Sequence, residues 1–423
     1  MSGRVAAILV AILAVLMGIT AMVGQRSPDV SRTQLGRLVT LPPSRIGAIE
    51  VRTDEGCSVR VAEKPGWSGR LVSWGGGDRP AGSWPVLEST WLAGARLLSS
   101  ANVQAGPESQ LDGGSHVTVL DDAGKVVSDF DLGRRPLGGR VPVRLNPSQT
   151  WGTVGKEIAD VLKPEALLAW RDLHVLPGMD ATVRRIVLTR DGSTLELRRV
   201  GRSWSVISPV TETADPEAVQ RLIDALVAWQ GTQHNDTAPN ETCLTLRIEL
   251  GSDQHNGRTV YTVQTNDNAR CRVEITSERQ DESDHIASTN LDVDSVPFPD
   301  FDTTAFLLRT VLRLPASEIS GVMVRVPTNG LDITAHRTPE GWSDGSRDLV
   351  EQWLTLLLKT QASDIFIGNP PAEEAGELML LGFGGLDIGT YMILLDDDRL
   401  WIGRGKVWRA YDMTDEQSAS LGL

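Results

Sequence analysis

Hydrophobic and polar residues alternate in short runs along most of this chain, and turn-forming residues separate the runs. In RRIVLTR, Ile186 and Leu188 stand two positions apart, an Asp-Gly pair follows at 191–192, and TLELRRV alternates again. Alternation with a period of two is typical of half-buried strands, and an Asp-Gly link is typical of a hairpin turn. The pattern predicts a hairpin here and comparable turns at the Glu-Gly pair 55–56 and the Asn-Gly pair 329–330.

The hairpin pattern recurs with a fixed period. Three similar segments end at Trp67, Trp204 and Trp342, and the spacings are 204 − 67 = 137 and 342 − 204 = 138. A second marker agrees, because LLAWRDLHVL and AFLLRTVLRL place Arg171 and Arg309 at 309 − 171 = 138. Two markers that share one period indicate the duplication of a domain-sized unit.

A helical pattern follows the hairpin. In TADPEAVQRLIDALVAWQ, Asp215 is placed to cap a helix and Pro216 to open it, while Val219, Leu222 and Leu226 form one apolar face. Less regular helical patterns follow at 83–100 and 346–360, and more strand-like runs come after each helix. We therefore predict an α+β fold class, with three repeated α+β units that contain mainly antiparallel sheets, at 43–165, 166–300 and 301–423.

The N-terminus carries a long apolar segment. Residues 5–23 include no charge, and Arg4 and Arg26 flank them. At 1.5 Å per residue this segment spans about 28 Å as a helix, close to the roughly 30 Å of a bilayer core. It predicts a transmembrane anchor at 1–24 that contacts the lipid bilayer through residues 5–23, then a linker at 25–42 and a body outside the cytoplasm at the plasma membrane. The alternative is a cleaved signal peptide.

Charge and cysteine content exclude some classes of protein. The 423 residues carry a formal net charge of −14, which argues against nucleic acid as a partner because phosphate binding needs clustered lysine and arginine. Cys57, Cys243 and Cys271 show no C-x-x-C spacing, so neither a zinc ribbon nor a thioredoxin site is indicated. Cys243 and Cys271 are compatible with a disulfide or with two free thiols.

No recognisable catalytic or metal motif stands out. The six histidines are solitary along the sequence: His116, His174, His234, His255, His285 and His336. Asp396–Asp398 and Asp121–Asp122 are typical of hairpin turns, with a cation site as the alternative for the first run. Gly382–Gly389 lacks the following helix of a dinucleotide-binding loop and indicates a bent strand or loop. We therefore predict no catalytic, cofactor-binding or metal-binding residues.

Tryptophan is frequent, with 12 tryptophans against 3 tyrosines and 6 phenylalanines. The tryptophans at the repeat positions 67, 204 and 342 are predicted to lie in the core, where a large ring can cover the interface of helix and sheet. For Trp84, Trp401 and Trp408 the sequence leaves open whether they lie in the core or contact a partner.

The second repeat resembles a known family. Arg171-Asp172, the stretch from Trp204 to Pro209 and Ala214-Asp215 are similar to the signature of family 4340 of the domains of unknown function, over roughly residues 165–230. The third repeat is less similar, with Arg309-Thr310 in place of Arg-Asp. The resemblance implies a membrane-attached, extracytoplasmic protein encoded beside ABC transporter components of the gliding-motility type.

Two classes of function follow from these observations. The first is a non-catalytic, membrane-anchored scaffold or binding module whose partners are integral membrane proteins of an ABC-type transporter. The alternative is an envelope hydrolase whose site is assembled from dispersed residues. The absent motifs and the repeats favour the scaffold.

Overall fold

The computed structural model describes residues 34–423 apart from short gaps. The gaps lie at 66, 77–79, 109–110, 112, 136–137, 180–181, 236, 240–241, 243, 252–257, 267–269, 280–281, 298–301, 344–346, 372 and 397–398. The predicted anchor at 1–24 lies outside the described residues, and so does the first half of the predicted linker at 25–42. The second half of that linker contains a strand, Gln34–Arg37.

The described residues begin with ten strands and three helices. The strands are β1 Gln34–Arg37, β2 Ile46–Thr53, β3 Ser58–Glu63, β4 Arg70–Gly75, β5 Gly82–Pro85, β6 Asn102–Ala105, β7 Ser115–Asp121, β8 Val126–Leu132, β9 Arg140–Asn146 and β10 Thr150–Gly155. The helices are α1 Glu88–Ser100, α2 Lys156–Val161 and α3 Pro164–Leu168.

The second repeat has nine strands and one helix. These are β11 Val183–Arg190, β12 Ser193–Val200, β13 Ser203–Ser208, β14 Glu212–Thr213, α4 Pro216–Val227, β15 Gly231–Asn235, β16 Leu244–Gly251, β17 Arg258–Thr265, β18 Arg270–Arg279 and β19 Glu282–Val293.

The third repeat has eight strands and two helices. These are β20 Ile319–Val326, β21 Leu331–Thr338, β22 Gly341–Trp342, α5 Arg347–Leu358, β23 Asp364–Ile367, β24 Glu374–Gly382, β25 Asp387–Asp396, β26 Arg399–Arg404, β27 Val407–Asp412 and α6 Asp415–Leu421. Short 3-10 turns lie at Pro43–Arg45, Thr303–Phe306, Ala316–Glu318, Pro327–Asn329 and Phe383–Gly385.

The expected fold class, α+β with an N-terminal transmembrane helix, is wrong. Antiparallel strands dominate the structure, with 27 strands and six α-helices among the described residues. The physical reason is that the period of two covers far more of the chain than the helical period, so each helix is only a partial cover for a wide sheet. In the described part of the chain no helix has the length and apolar character needed to cross a membrane, and the longest, α1, has 13 residues.

The three repeats share one strand order, which confirms a repeated antiparallel sheet. In the first repeat the order is β6-β10-β9-β8-β7-β2-β3-β4, with β1 beside β6. In the second it is β15-β19-β18-β17-β16-β11-β12-β13, with β14 beside β13. In the third it is β23-β27-β26-β25-β24-β20-β21-β22. Of the eight strands in this shared order, three precede the long helix in each repeat and five follow it.

The repeat period places equivalent residues in equivalent cores. Ile49, Ile186 and Val324 lie in the middle of the first strand of each repeat, and all three are fully buried. The chain forms two compact units. One comprises the described residues up to Ala81 with Pro85–Arg171, and the other comprises Gly82–Trp84 with Asp172–Leu423.

Local predictions for the second repeat are confirmed. Asp191 and Gly192 both have positive φ, 49° and 80°, as a tight hairpin turn requires. The carboxylate of Asp215 accepts a hydrogen bond from the backbone N–H of Glu217 at 2.9 Å and caps α4, which begins at Pro216.

The tryptophans are distributed differently from the prediction. Trp342 is buried, but Trp67 and Trp204 are only half-buried. The sequence did not decide whether Trp84, Trp401 and Trp408 lie in the core or contact a partner, and all three are buried.

Candidate partner-binding face

Each repeat sheet has two faces, and the long helix covers one of them. In the third repeat α5 contributes Trp353 and Leu357 to the same core cluster as Val322 and Val324 of β20. Because side chains alternate along a strand, the residues between these core positions point to the opposite side. We call this side the outer face.

The outer face of the second repeat is covered by a closed network of charges. Arg185 donates hydrogen bonds to Glu196 at 2.9 Å and to Glu249 at 2.9 Å. Glu249 is only 6% exposed and also accepts from Arg258 at 3.1 Å, which donates in turn to Glu278 at 2.7 Å. The hydrogen bond from Arg185 lowers the pKa of Glu196. The Arg185 partner within the same sheet therefore favours the ionised form of Glu196.

The outer face of the first repeat is also polar and internally paired. Asp131 bonds to His116 at 2.8 Å and accepts from Arg144 at 2.6 Å, and Asn146 lies within hydrogen-bonding distance at 3.4 Å. Burial alone would raise the pKa of Asp131, but the hydrogen bonds from His116, Arg144 and Asn146 lower it. The pairing is typical of a solvated, structural sheet surface.

The outer face of the third repeat carries a set of apolar residues beside polar ones such as Arg325 and Glu377. Met323 of β20 lies opposite Met379 of β24, and Leu394 of β25 lies opposite Trp401 of β26. The face continues across the remaining strands, and its apolar members are Met323, Phe366, Met379, Met392, Leu394, Trp401 and Trp408. We call this set the Met/Trp face.

Part of the Met/Trp face is open to solvent. Met323 is 37% exposed and Phe366 is 42% exposed, while Met379 and Met392 are half-buried. The turn that joins β24 and β25 also exposes two apolar residues, Phe383 at 67% and Leu386 at 70%. Exposed apolar groups that cluster on one side of a domain are typical of interaction sites.

Two tryptophans, Trp401 and Trp408, lie in the buried part of this face. Trp408 is fully buried and donates from Nε1 to the Gly368 carbonyl at 3.3 Å. Its ring lies over Gly403, where a Cβ atom would overlap it. Trp401 is 7% exposed, and its Nε1 is buried without a hydrogen-bond partner among the described residues. An unpaired buried donor of this kind costs about 1–3 kcal/mol.

A separate polar cleft of about 780 Å³ is lined by residues of the second and third repeats. Glu212 is largely buried there, and burial raises its pKa, although Arg409 and Arg404 act in the opposite direction. Arg409 is 2% exposed, donates to the Leu308 carbonyl at 2.8 Å and lies 3.8 Å from Glu212. The buried arginine of the third repeat therefore contacts the second repeat through the Glu212 carboxylate.

The structure does not bring the histidines together. His116 and His174 each bond to an aspartate, His234 bonds to Thr289 and His285 contacts Glu274. His336 is exposed on β21, and His255 lies outside the described residues. Within the ranges that the structure describes, no group of three or more His, Cys, Asp or Glu side chains is placed to hold a metal ion.

The aspartate runs and the glycine-rich segment have the predicted local structures where they are described. Asp121 accepts from the N–H groups of Ala123 and Lys125 in a turn, as expected. Asp396 ends β25, while residues 397–398 lie outside the described part. Gly382–Gly389 forms the end of β24, a 3-10 turn and the start of β25, which confirms the predicted bend.

Two of the three cysteines lie in the described residues, and both are free thiols. Cys271 is a buried free thiol, and burial raises its pKa to about 11 although the Thr265 hydroxyl lowers it. Cys57 is free and half-buried. Cys243 lies outside the described residues, so the predicted alternatives for it stay open.

Sequence reasoning missed the Met/Trp face, although a signal for it was present. The runs ELMLLGF, GTYMILLD and LWIGRG are apolar at both strand phases, whereas TLELRRV and TLRIEL alternate with charges. Apolar residues at both phases indicate a strand with two apolar faces. The signal is restricted to the third repeat.

Comparison with known proteins places the chain in no family. No protein-family model matches it, and no curated protein matches it. Among solved structures, that of a DNA polymerase sliding clamp from Pseudomonas aeruginosa with ligand matches 89% of this chain and 93% of that chain at 10% identity, with a TM-score of 0.14. A likeness at that TM-score carries no argument about fold or function.

Proposed function

We propose that this protein is a non-catalytic binding module that holds a partner protein on the Met/Trp face of its third repeat. The single observation that carries the proposal is the contrast between repeats with the same strand order. The outer faces of the first two repeats are closed by ion pairs, and the third exposes methionine and phenylalanine. Because the three sheets have the same strand order but different outer faces, we infer that the third repeat is specialised.

The chemistry of the face suits a protein partner. Methionine side chains are flexible and adapt to irregular apolar surfaces, and aromatic side chains are frequent at the centres of interfaces. A partner with an apolar patch of its own would therefore suit the face.

The identity of the partner is part of the proposal and rests on sequence. The resemblance of residues 165–230 to family 4340 stays a prediction and suggests an integral membrane component of an ABC-type transporter as the partner. Contact with the bilayer through the apolar residues 5–23, with the body outside the cytoplasm, would place the protein beside such a component. Attachment to the same membrane raises the effective concentration of two partners.

Paired substitutions with co-purification test the proposal. Met323→Glu places a charge on the Met/Trp face, and Val200→Glu is the control, because Val200 is 59% exposed on β12 outside that face. We expect Met323→Glu to reduce recovery of the co-purifying protein at least about tenfold, because burying an unpaired charge at an interface costs about 2 kcal/mol or more. If both variants recovered the same amount of the co-purifying protein, the Met/Trp face would not be the docking site.

A second set of substitutions tests the non-catalytic part of the proposal. Alanine at each of the six histidines and at Asp396–Asp398 should leave the cellular function intact. Loss of function from one of these changes, in a protein that still unfolds cooperatively at the wild-type temperature, would favour the hydrolase alternative.

A further inference from the structure

The cleft between the second and third repeats offers both apolar surface and hydrogen-bonding groups. It has a volume of about 780 Å³ and lies between the β13–β14 segment and the turn that joins β26 and β27, and both walls belong to one compact unit. Its lining includes the buried Val210 and Val407 and the hydroxyl-bearing Ser205, Thr211 and Thr213. A volume of this size is typical of small-molecule sites.

Two cations line this cleft from the third repeat. Arg404 and Lys406 flank Gly405, whose positive φ of 64° forms the turn between β26 and β27. Both residues are exposed, so a ligand in the cleft can reach both charges. No carboxylate of the described residues forms an ion pair with either of them. The cleft therefore presents two positive charges that no anionic group of the described chain occupies.

Glu212 is the carboxylate of the lining, and a neighbouring cation already balances its charge. Its side chain is 21% exposed, and the guanidinium of the buried Arg409 lies 3.8 Å from it. With Arg404, Lys406 and Arg409 counted against Glu212, 3 − 1 = 2 positive charges remain in and beside the cleft. The whole chain carries −14, so this local excess is opposite in sign to the net charge of the protein. A cleft lined by positive charge raises the local concentration of anions.

We infer that this cleft is a binding site for a small organic anion, whose carboxylate lies between Arg404 and Lys406 and whose apolar chain packs on Val210 and Val407. A guanidinium presents its N–H groups in a planar fork that matches a carboxylate, and an ammonium adds a second charge-assisted donor. Contact with the two valines removes apolar carbon of the ligand from water. The inference does not depend on the proposed docking function, because none of these residues belongs to the Met/Trp face.

The chain has six lysines, which makes a direct test possible. Reductive methylation with ¹³C-formaldehyde keeps their positive charge and gives each lysine an NMR signal, and the spectrum of Lys406→Gln assigns the signal of Lys406. The probes are hexanoate, hexanol and hexylammonium, added to the full-length protein at pH 8. They have the same number of carbons and differ in charge. Lys359→Gln is the matched control variant, because Lys359 is also exposed in the third repeat but lies outside the lining.

We expect hexanoate to shift the Lys406 signal in a saturable way and to leave that of Lys359 in place. Hexanol should bind at least about tenfold more weakly, because it lacks the charge, and hexylammonium should produce no shift. With unmodified protein, observed through the ligand signals, Lys406→Gln and Arg404→Gln should each weaken the binding of hexanoate at least about fivefold. Lys359→Gln should leave the affinity unchanged. Glu212→Gln should strengthen binding about twofold to threefold, because it removes the negative charge of the lining.

Four results would each overturn the inference. They are a Lys406 signal that hexanoate does not move, equal binding of hexanoate and hexanol, equal affinity of Lys406→Gln and Lys359→Gln for hexanoate, and weaker binding by Glu212→Gln. Lys406→Arg keeps the positive charge and should retain binding. If Lys406→Arg lost as much affinity as Lys406→Gln, the charge of this side chain would not hold the anion.

Discussion

Arg185 and Met323 occupy the same position in two copies of one sheet, since 323 − 185 = 138 matches the repeat period. Arg185 lies opposite Glu249 and forms an ion pair with it at 2.9 Å, whereas Met323 lies opposite Met379. The backbone register is equivalent, so the difference lies in the side chains alone. One repeat closes its outer face with charge, and the other presents an adaptable apolar surface.

Removing Glu249 should destabilise the second repeat. Glu249 is 6% exposed and accepts hydrogen bonds from Arg185, Arg247 and Arg258, which would lose a shared partner. Because these arginines are themselves partly exposed, we expect Glu249→Ala to lower the free energy of unfolding by roughly 1–3 kcal/mol. Urea denaturation measures this change. Glu274→Ala, on β18 of the same sheet and half exposed, is the control and should change the free energy by less than about 0.5 kcal/mol.

Stability should fall in acid because of the carboxylates in this network. The pKa of Glu196 is lowered from the ordinary 4.5 by its hydrogen bond to Arg185, so the folded state binds fewer protons than the unfolded state as the pH falls below that value. Its contribution is therefore complete above about pH 4.5 and is lost as the pH falls through the folded pKa. Glu196→Gln should show a flatter dependence of the free energy of unfolding on pH in this window. An unchanged slope would contradict the assignment.

Glu212 should behave in the opposite way. Burial raises its pKa above the ordinary 4.5, so its contribution to stability is present below that value and is lost as the pH rises through the folded pKa. Between pH 4.5 and 7, Glu212→Gln should therefore gain stability relative to the wild type. Denaturation of both proteins across this range measures the difference. If the difference in the free energy of unfolding between the two proteins stayed constant with pH, the pKa of Glu212 would not be raised.

Gly403 should not tolerate a side chain. A Cβ atom at this position would overlap the ring of Trp408, which lies flat over it and is fully buried. Gly403→Ala should lower the free energy of unfolding by about 1–3 kcal/mol through overpacking. Gly75→Ala is the matched strand control, because a Cβ there would meet Ala81 at an ordinary 3.6 Å. Similar costs for the two variants would contradict the position of the Trp408 ring.

Much of the local structure could be predicted from the sequence, because it depends on neighbours along the chain. The turn at Asp191 and Gly192 and the capped start of α4 at Asp215 follow from backbone preferences and short-range hydrogen bonds. The repeat follows from periodicity. The fold class was wrong because the width of each sheet depends on pairings such as that of β6 with β10, between strands far apart in sequence.

The candidate site could not be predicted in the same way. Met323 and Met379 are 56 positions apart, 379 − 323 = 56, and become neighbours only when β20 pairs with β24. The half-buried Trp67 and Trp204 show the same limit, since position in a repeat does not fix burial.

Site-specific photo-crosslinking in the native cells tests the docking role of the third repeat most directly. A photoreactive phenylalanine analogue would replace Phe366, which is 42% exposed on the Met/Trp face, or Val200, which is 59% exposed on β12. Docking on the Met/Trp face predicts one discrete crosslinked protein from position 366, its loss when Met323→Glu is added, and none from position 200. Adducts of equal yield from both positions, or from neither, would contradict it.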